Sequence, residues 1–150
     1  MSALFTIGYE HATSAAVLDE LADAKVGLLV DVRAVTASRR PGFSKRQLAA
    51  GLDERGMRYL HLRGLGTPSE GRLAARSGRL ADLFRIYEKH LATPDAREDL
   101  DQLTALVRSG ERICLLCYER DPAHCHRRRV AELMGERTGA SVEHLFAKMV

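Results

Sequence analysis

Tryptophan is missing from this 150-residue chain, and phenylalanine and tyrosine supply only four residues each. So few rings, mostly inside helical or strand-like stretches, argue against a platform that stacks the successive bases of a single strand. No apolar run approaches the roughly 18 residues of a membrane span. The opening Met1-Ser-Ala-Leu-Phe5 has no basic segment ahead of a long apolar stretch, so no secretory leader is expected. Cysteine is scarce as well. Three thiols, an odd number, argue against a complete internal disulfide framework, and reduced thiols in the cytoplasm are the expectation. With 12 glycines and 4 prolines the chain is far from fibrous or disordered composition.

What is present suits a folded domain. The apolar fraction is 45% and the charged fraction 29%, and 150 residues fit one domain with a core large enough to need no staple. The net charge of +3 hides a strong asymmetry. Residues 33–46 carry +5, residues 55–79 carry +5 and residues 112–129 carry +3, which leaves −10 for the remainder. Of the basic residues, 19 are arginine and 4 lysine. A biased genome accounts for the ratio but not for the clustering. Arginine's planar five-donor fork suits phosphate or carboxylate.

Hydrophobic patterning alternates between two periods. Ala3 to Ile7 reads as a strand, and Thr13 or Ser14 caps a helix bearing Val17, Leu18, Leu21 and Ala22 on one face. Val26 to Val32 reads as a buried strand, followed by a polar loop from Arg33 to Phe43. Ser44 with Gln47 predicts a capping box for a helix that buries Leu48 and Leu52 and stops at Gly56. Arg58 to Leu62 is a third strand, and residues 63–78, with four glycines, read as a long loop. Leu80, Leu83, Phe84, Tyr87 and Leu91 recur at helical spacing, and Thr93-Pro94 starts a further helix. Arg112 to Tyr118 is the most apolar strand, Asp121-Pro122 restarts a helix, and Ser141 to Phe146 is the last strand. The order predicts a single three-layer, Rossmann-like α/β domain over residues 1–150. Its sheet is mostly parallel, with about five strands and helices on both faces.

In such sheets ligands bind beyond the carboxyl ends of the strands, at a switch in strand order. Three strand ends are rich in chemistry: Tyr9-Glu-His11, Asp31-Val-Arg33, and Cys117-Tyr-Glu119 leading to Cys125-His-Arg127. Cys125, His126 and Arg127 open a helix, whose N-terminus lowers a thiol pKa and attracts anions. Cys117 or Cys125 is therefore the candidate nucleophile. Asp31, Glu119 and His11 are candidate acids or bases. Arg33, Arg39 and Arg127, with Tyr9, Ser38 and His126, are candidates to hold an anion. Strand, cysteine, loop, arginine and helix is the layout of phosphatase and rhodanese loops, although the spacing here is longer. Cys114-Leu-Leu-Cys117 has a zinc-like spacing, but a Leu-Leu spacer inside a strand points the two thiols apart. Cys125-His126 would complete a set of four ligands with them, but because the strand thiols diverge no metal site is expected in this chain. The bland reading of each residue remains open: a packed cysteine, a structural Asp31–Arg33 bridge, a core His61.

Several stretches together resemble a known family. They are Thr6-Ile-Gly-Tyr-Glu-His11, Val30-Asp-Val-Arg33, Ser38-Arg-Arg-Pro-Gly-Phe-Ser-Lys45, Tyr59-Leu-His-Leu62, Leu65-Gly-Thr-Pro68, Tyr87-Glu-Lys-His-Leu91, Leu115-Leu-Cys-Tyr-Glu119 and Cys125-His-Arg-Arg128. The chain is similar over nearly its whole length to the family catalogued as domain of unknown function 488. The resemblance implies a compact α/β fold and a shared polar site at Tyr9, His11, Asp31, Arg33, Ser38, Arg39, Tyr59, His61, Cys117, Glu119, Cys125, His126 and Arg127. It assigns no reaction and no cofactor. One departure is that Val35-Thr36 stand where the family often carries proline. The sequence thus supports an enzyme, or degenerate enzyme, whose partner is a phosphate-bearing ligand such as a nucleotide or nucleic-acid end. The alternatives are a non-catalytic nucleic-acid-binding module and rhodanese-like sulfur transfer.

Overall fold

The computed structural model describes residues 3–150. It has five strands: β1 (Ala3–Gly8), β2 (Leu28–Asp31), β3 (Arg58–His61), β4 (Ile113–Cys117) and β5 (Ser141–Leu145). Six helices connect them: α1 (Ser14–Asp23), α2 (Lys45–Glu54), α3 (Ser69–Arg76), α4 (Leu80–Leu91), α5 (Pro94–Arg108) and α6 (Arg127–Thr138). The strands form one sheet of order β3-β2-β4-β1-β5, and every pairing is parallel. This is the α/β architecture that the alternating periodicity predicts.

Period-2 alternation in the strands builds two cores. On one face Phe5, Ile7, Leu29, Cys114 and Leu116 pack with Val17, Leu18 and Leu21 of α1 and Leu48 and Leu52 of α2. On the other, Leu4, Val30, Leu115 and Cys117 pack with Tyr87, Leu100, Leu103, Val130 and Met134 of α4, α5 and α6. Cys114 and Cys117, three residues apart, thus lie on opposite faces. Chain exits set the switch point. β1 and β2 lead to helices on one face, whereas β4, between them, leads to α6 on the other. The crevice this opens lies at the carboxyl ends of β1, β4 and β2.

Three details differ from the sequence expectation. Thr13 caps α1 by accepting from the Ala16 N–H, as expected, but Ser44 makes no cap bond to α2. Its hydroxyl is taken by Ser38, accepting from the Ser38 N–H at 3.0 Å and donating to the Ser38 carbonyl at 3.1 Å. Residues 63–78 are not a plain loop. They hold a 3₁₀ turn (Arg63–Leu65) and α3. The turn is pinned from both sides, by Tyr87 Oη donating to the Leu65 carbonyl at 2.7 Å and by the Gly64 N–H donating to Asp99 Oδ2 at 2.7 Å. Gly66 lets it pass Ala34 at the exit of β2, where a Cβ would overlap the Ala34 backbone. Finally, Asp121-Pro122 starts only a 3₁₀ turn, Pro122–His124, and α6 begins at Arg127.

Candidate functional site

Asp31 ends β2 with no solvent exposure, so its carboxylate must be fully partnered. It accepts from the Arg33 N–H at 3.0 Å, Arg33 Nε at 2.9 Å, Arg33 Nη2 at 2.7 Å and Tyr59 Oη at 2.6 Å. Arg33 Nη1 donates further to the Phe43 carbonyl at 2.8 Å and to Tyr9 Oη at 3.2 Å. Burial works against the Arg33 charge, but the hydrogen bonds and charge of Asp31 outweigh it and hold the guanidinium pKa above its ordinary value. Burial and the Asp31 bond likewise push the Tyr59 phenol up. Tyr9 stacks on Phe43 with ring centroids 4.3 Å apart. The exit of β2 is fixed by two imidazoles as well. His61 Nε2 donates to the Arg33 carbonyl at 2.7 Å and His126 Nε2 to the Val32 carbonyl at 2.8 Å.

The exit of β4 meets that of β1 at a glycine. A Cβ at Gly8 would fall on the carbonyl of Glu119, so only glycine allows the loop after β4 to cross there. The Tyr9 and Glu10 N–H groups then donate to the Cys117 and Tyr118 carbonyls at 3.3 Å and 2.8 Å. The loop is tied down from beneath by Arg127, which has no solvent exposure. Arg127 Nη1 donates to the Glu119 carbonyl at 2.5 Å and to Cys117 Sγ at 3.4 Å, and Nη2 donates to the Arg120 carbonyl at 3.1 Å. Burial brings the Arg127 pKa down to about 10, opposed by nearby acidic groups.

Cys117 and Cys125 are joined by a disulfide across this loop. The expectation of reduced thiols therefore does not hold for this pair. Both residues belong to the core on the α6 face, where the end of β4 and the residues before α6 meet. Cys114, on the opposite face, is the free and buried thiol, and burial pushes its pKa well up.

A cleft of about 260 Å³ opens at these strand ends. Of the candidates named from sequence, Tyr9, Arg33, Cys117, Glu119, Cys125 and His126 line it. Asp31 sits behind Arg33 and Arg127 beneath the loop, so neither lines the cleft. Ser38 is engaged with Ser44, and Arg39 is exposed outside the cleft. His11 is exposed beside Glu10, in a left-handed conformation with φ 63°. Sequence reasoning missed Thr67, Arg72 and Arg76, which α3 and its entry bring to the cleft. Its signal was the +5 charge of residues 55–79, but no site was drawn from it. Arg72 Nη1 donates to the Thr67 carbonyl at 2.8 Å. Among the described residues no carboxylate pairs with Arg72 or Arg76.

Glu119 is the one carboxylate of the cleft lining. Burial raises its pKa, with Glu10 adding to the shift, while its own backbone hydrogen bond and the charge of Arg127 oppose it. His126 is brought down to about 4, mainly by burial, against the help of its bond to Val32. It is neutral at pH 7, and because a carbonyl can only accept, Nε2 carries the proton and Nδ1 the lone pair.

The family model described as "Domain of unknown function DUF488" matches residues 13–134. The chain belongs to that family. The match runs from the cap of α1 into α6, so it takes in every lining residue of the DUF488 cleft except Tyr9. Comparison with curated proteins and with solved structures finds no match. No helix among the described residues is long and apolar enough to cross a membrane.

Proposed function

We propose that this DUF488 protein is an enzyme that binds a phosphate-bearing small ligand in the cleft and acts on it with the sulfur centre at Cys117 and Cys125. The observation that carries this reading is the charge balance of the lining. Arg33 is neutralised by Asp31, whereas Arg72 and Arg76 face the cleft with no carboxylate partner. Two such forks are the donors a phosphate needs. Val35 and Tyr118, 52% and 41% exposed, add apolar surface at the same cleft for a nucleobase. Glu119, with its raised pKa, supplies a proton carrier beside Cys117.

The test uses reduced, metal-free protein and a panel of mononucleotides. Bound nucleotide slows alkylation of Cys117 and Cys125 by iodoacetamide, and Arg72→Ala with Arg76→Ala abolishes the protection. Equal rates with and without every nucleotide at millimolar concentration overturn the reading. An oligonucleotide that binds with steep salt dependence while mononucleotides do nothing makes the chain a nucleic-acid-binding module instead.

A second reading, sulfur transfer, is favoured by the adjacency of the two sulfurs. The Cys117 thiolate takes a sulfane sulfur from thiosulfate and releases sulfite. Attack of the Cys125 thiolate on Cys117 Sγ then expels hydrosulfide and leaves the disulfide. Sulfite release from thiosulfate that disappears in Cys117→Ser supports it, and no release rejects it for that donor.

A further inference from the structure

We infer that, once Cys117 and Cys125 are reduced, their sulfurs and Nδ1 of His126 hold one zinc-type divalent metal ion with a coordination position open to the cleft. The three donor atoms already lie within 4.8 Å of one another, on three buried residues. A tetrahedral zinc ion with bonds of about 2.3 Å to sulfur and about 2.0 Å to nitrogen sets its donors roughly 3.5–3.8 Å apart. Nδ1 of His126 is 3.7 Å from Cys125 Sγ, within that spacing. The backbone supports the same bridge. The Cα atoms of Cys117 and Cys125 are 7.5 Å apart, wider than the roughly 4.4–6.8 Å usually spanned by a disulfide, so an inserted ion suits the separation.

The surroundings are those of a ligand set. His126 donates its other nitrogen to the Val32 carbonyl at 2.8 Å, which fixes the ring and aims the Nδ1 lone pair at the sulfurs. Arg127 donates to Cys117 Sγ at 3.4 Å, a contact that stabilises a thiolate. Two thiolates and an imidazole favour zinc over magnesium or calcium. Three protein ligands leave a fourth position, the pattern of reactive rather than structural zinc. All three ligand residues line the cleft, and Glu119 Oε2 stands 4.0 Å from Cys117 Sγ. An ion held by these three residues is thus reached from the cleft that they line. This site also explains why the Cys114–Cys117 spacing misleads: Cys114 lies across the sheet, and the partners of Cys117 come from beyond the loop.

The inference deepens the proposed function, since the anion at the open position is the ligand proposed above, but metal binding itself needs no ligand. Its failure is therefore separable from failure of the nucleotide test, which uses metal-free protein. The full chain is reduced, desalted without oxygen and titrated with cobalt(II). The expected result is saturation at one equivalent, with thiolate-to-cobalt charge transfer and tetrahedral visible bands that zinc bleaches. Cys117→Ser, Cys125→Ser and His126→Gln each weaken cobalt binding more than tenfold, while Cys114→Ala leaves it unchanged. Zinc also protects Cys117 and Cys125 of the wild-type chain from alkylation, a readout that depends on no variant folding. Absence of the bands in reduced wild-type protein, or loss on Cys114→Ala equal to that on Cys117→Ser, overturns the assignment.

Discussion

Asp31→Asn is the sharpest probe of how this cleft is built. Asp31 has no exposure and Arg33 only 6%, so the pair is a buried ion pair with two side-chain bonds between the partners. Asparagine keeps one acceptor oxygen, presents an NH₂ group to a guanidinium that can only donate, and leaves the Arg33 charge uncompensated. Breaking a buried pair from one side costs about 3–5 kcal/mol. Set against a total stability of roughly 5–15 kcal/mol, that is a large fraction. With a urea m-value of about 2 kcal/mol/M, a loss of ~4 kcal/mol lowers the unfolding midpoint by about 2 M. Arg33→Met should cost a similar amount, because it leaves the buried carboxylate without a counter-charge, held only by Tyr59 Oη and the backbone N–H of residue 33. The pair changed together, Asp31→Asn with Arg33→Met, should lose less than the two single effects added, since no charge is left alone. Urea unfolding followed by circular dichroism measures all three. A loss under about 1 kcal/mol for Asp31→Asn, or strict additivity in the double variant, would refute the view that Arg33 is framework rather than ligand-binding charge.

Gly8→Ala drives a methyl group into the Glu119 carbonyl and should cost about 3 kcal/mol or more. A melting temperature within a degree or two of wild type would contradict that crossing. His126 titrates near 4 when folded against about 6.5 when unfolded, so the unfolded chain binds the extra proton between those values. Stability should therefore be full above pH 6.5 and fall by about 3 kcal/mol as the pH drops towards 4. His126→Gln should flatten that slope in urea melts at pH 4.5 and 7, and an unchanged slope would place the titration elsewhere. Tyr87→Phe removes the donor to the Leu65 carbonyl and leaves that acceptor buried, a loss of about 1–2 kcal/mol in thermal unfolding.

How much of this was legible follows from the physics of each segment. β4 announced itself because five consecutive buried residues read as an apolar run. The strand ends with Asp31-Val-Arg33 and Cys117-Tyr-Glu119 were legible for the same reason, since an ionisable group closing a buried strand needs a partner. α3 was not legible. Its packing side is made of small residues, Gly71 and Ala74, and a methyl at Gly71 would press on Thr67. Apolar periodicity cannot register a helix seated by the absence of side chains. Ser44 and Gln47 matched a capping pattern, but a local pattern cannot know that Ser38 claims the hydroxyl. The Cys117–Cys125 pairing was hidden although the two are only eight residues apart, because only the fold turns the loop after β4 back onto the face it left.

The cleft contains arginines of two kinds, and the distinction decides what a substitution does. Arg33 and Arg127 spend their donors on Asp31, on backbone carbonyls and on Cys117, so they shape the strand exits and bias the sulfur centre. Arg72 and Arg76 belong to α3, a helix held to the rest of the molecule through the pinned 3₁₀ turn and its packing on α4. Removing a framework cation should register first as lost stability. Removing Arg76 should leave unfolding nearly unchanged, because an exposed charge without a partner contributes little; removing Arg72 should cost about 1 kcal/mol for its bond to the Thr67 carbonyl, and both changes should weaken anion binding. A variant pair such as Arg33→Met and Arg72→Ala, compared in the same urea and nucleotide-protection assays, separates the two roles. If Arg72→Ala unfolds as easily as Arg33→Met, the division fails, and α3 is part of the scaffold rather than the element that chooses the ligand.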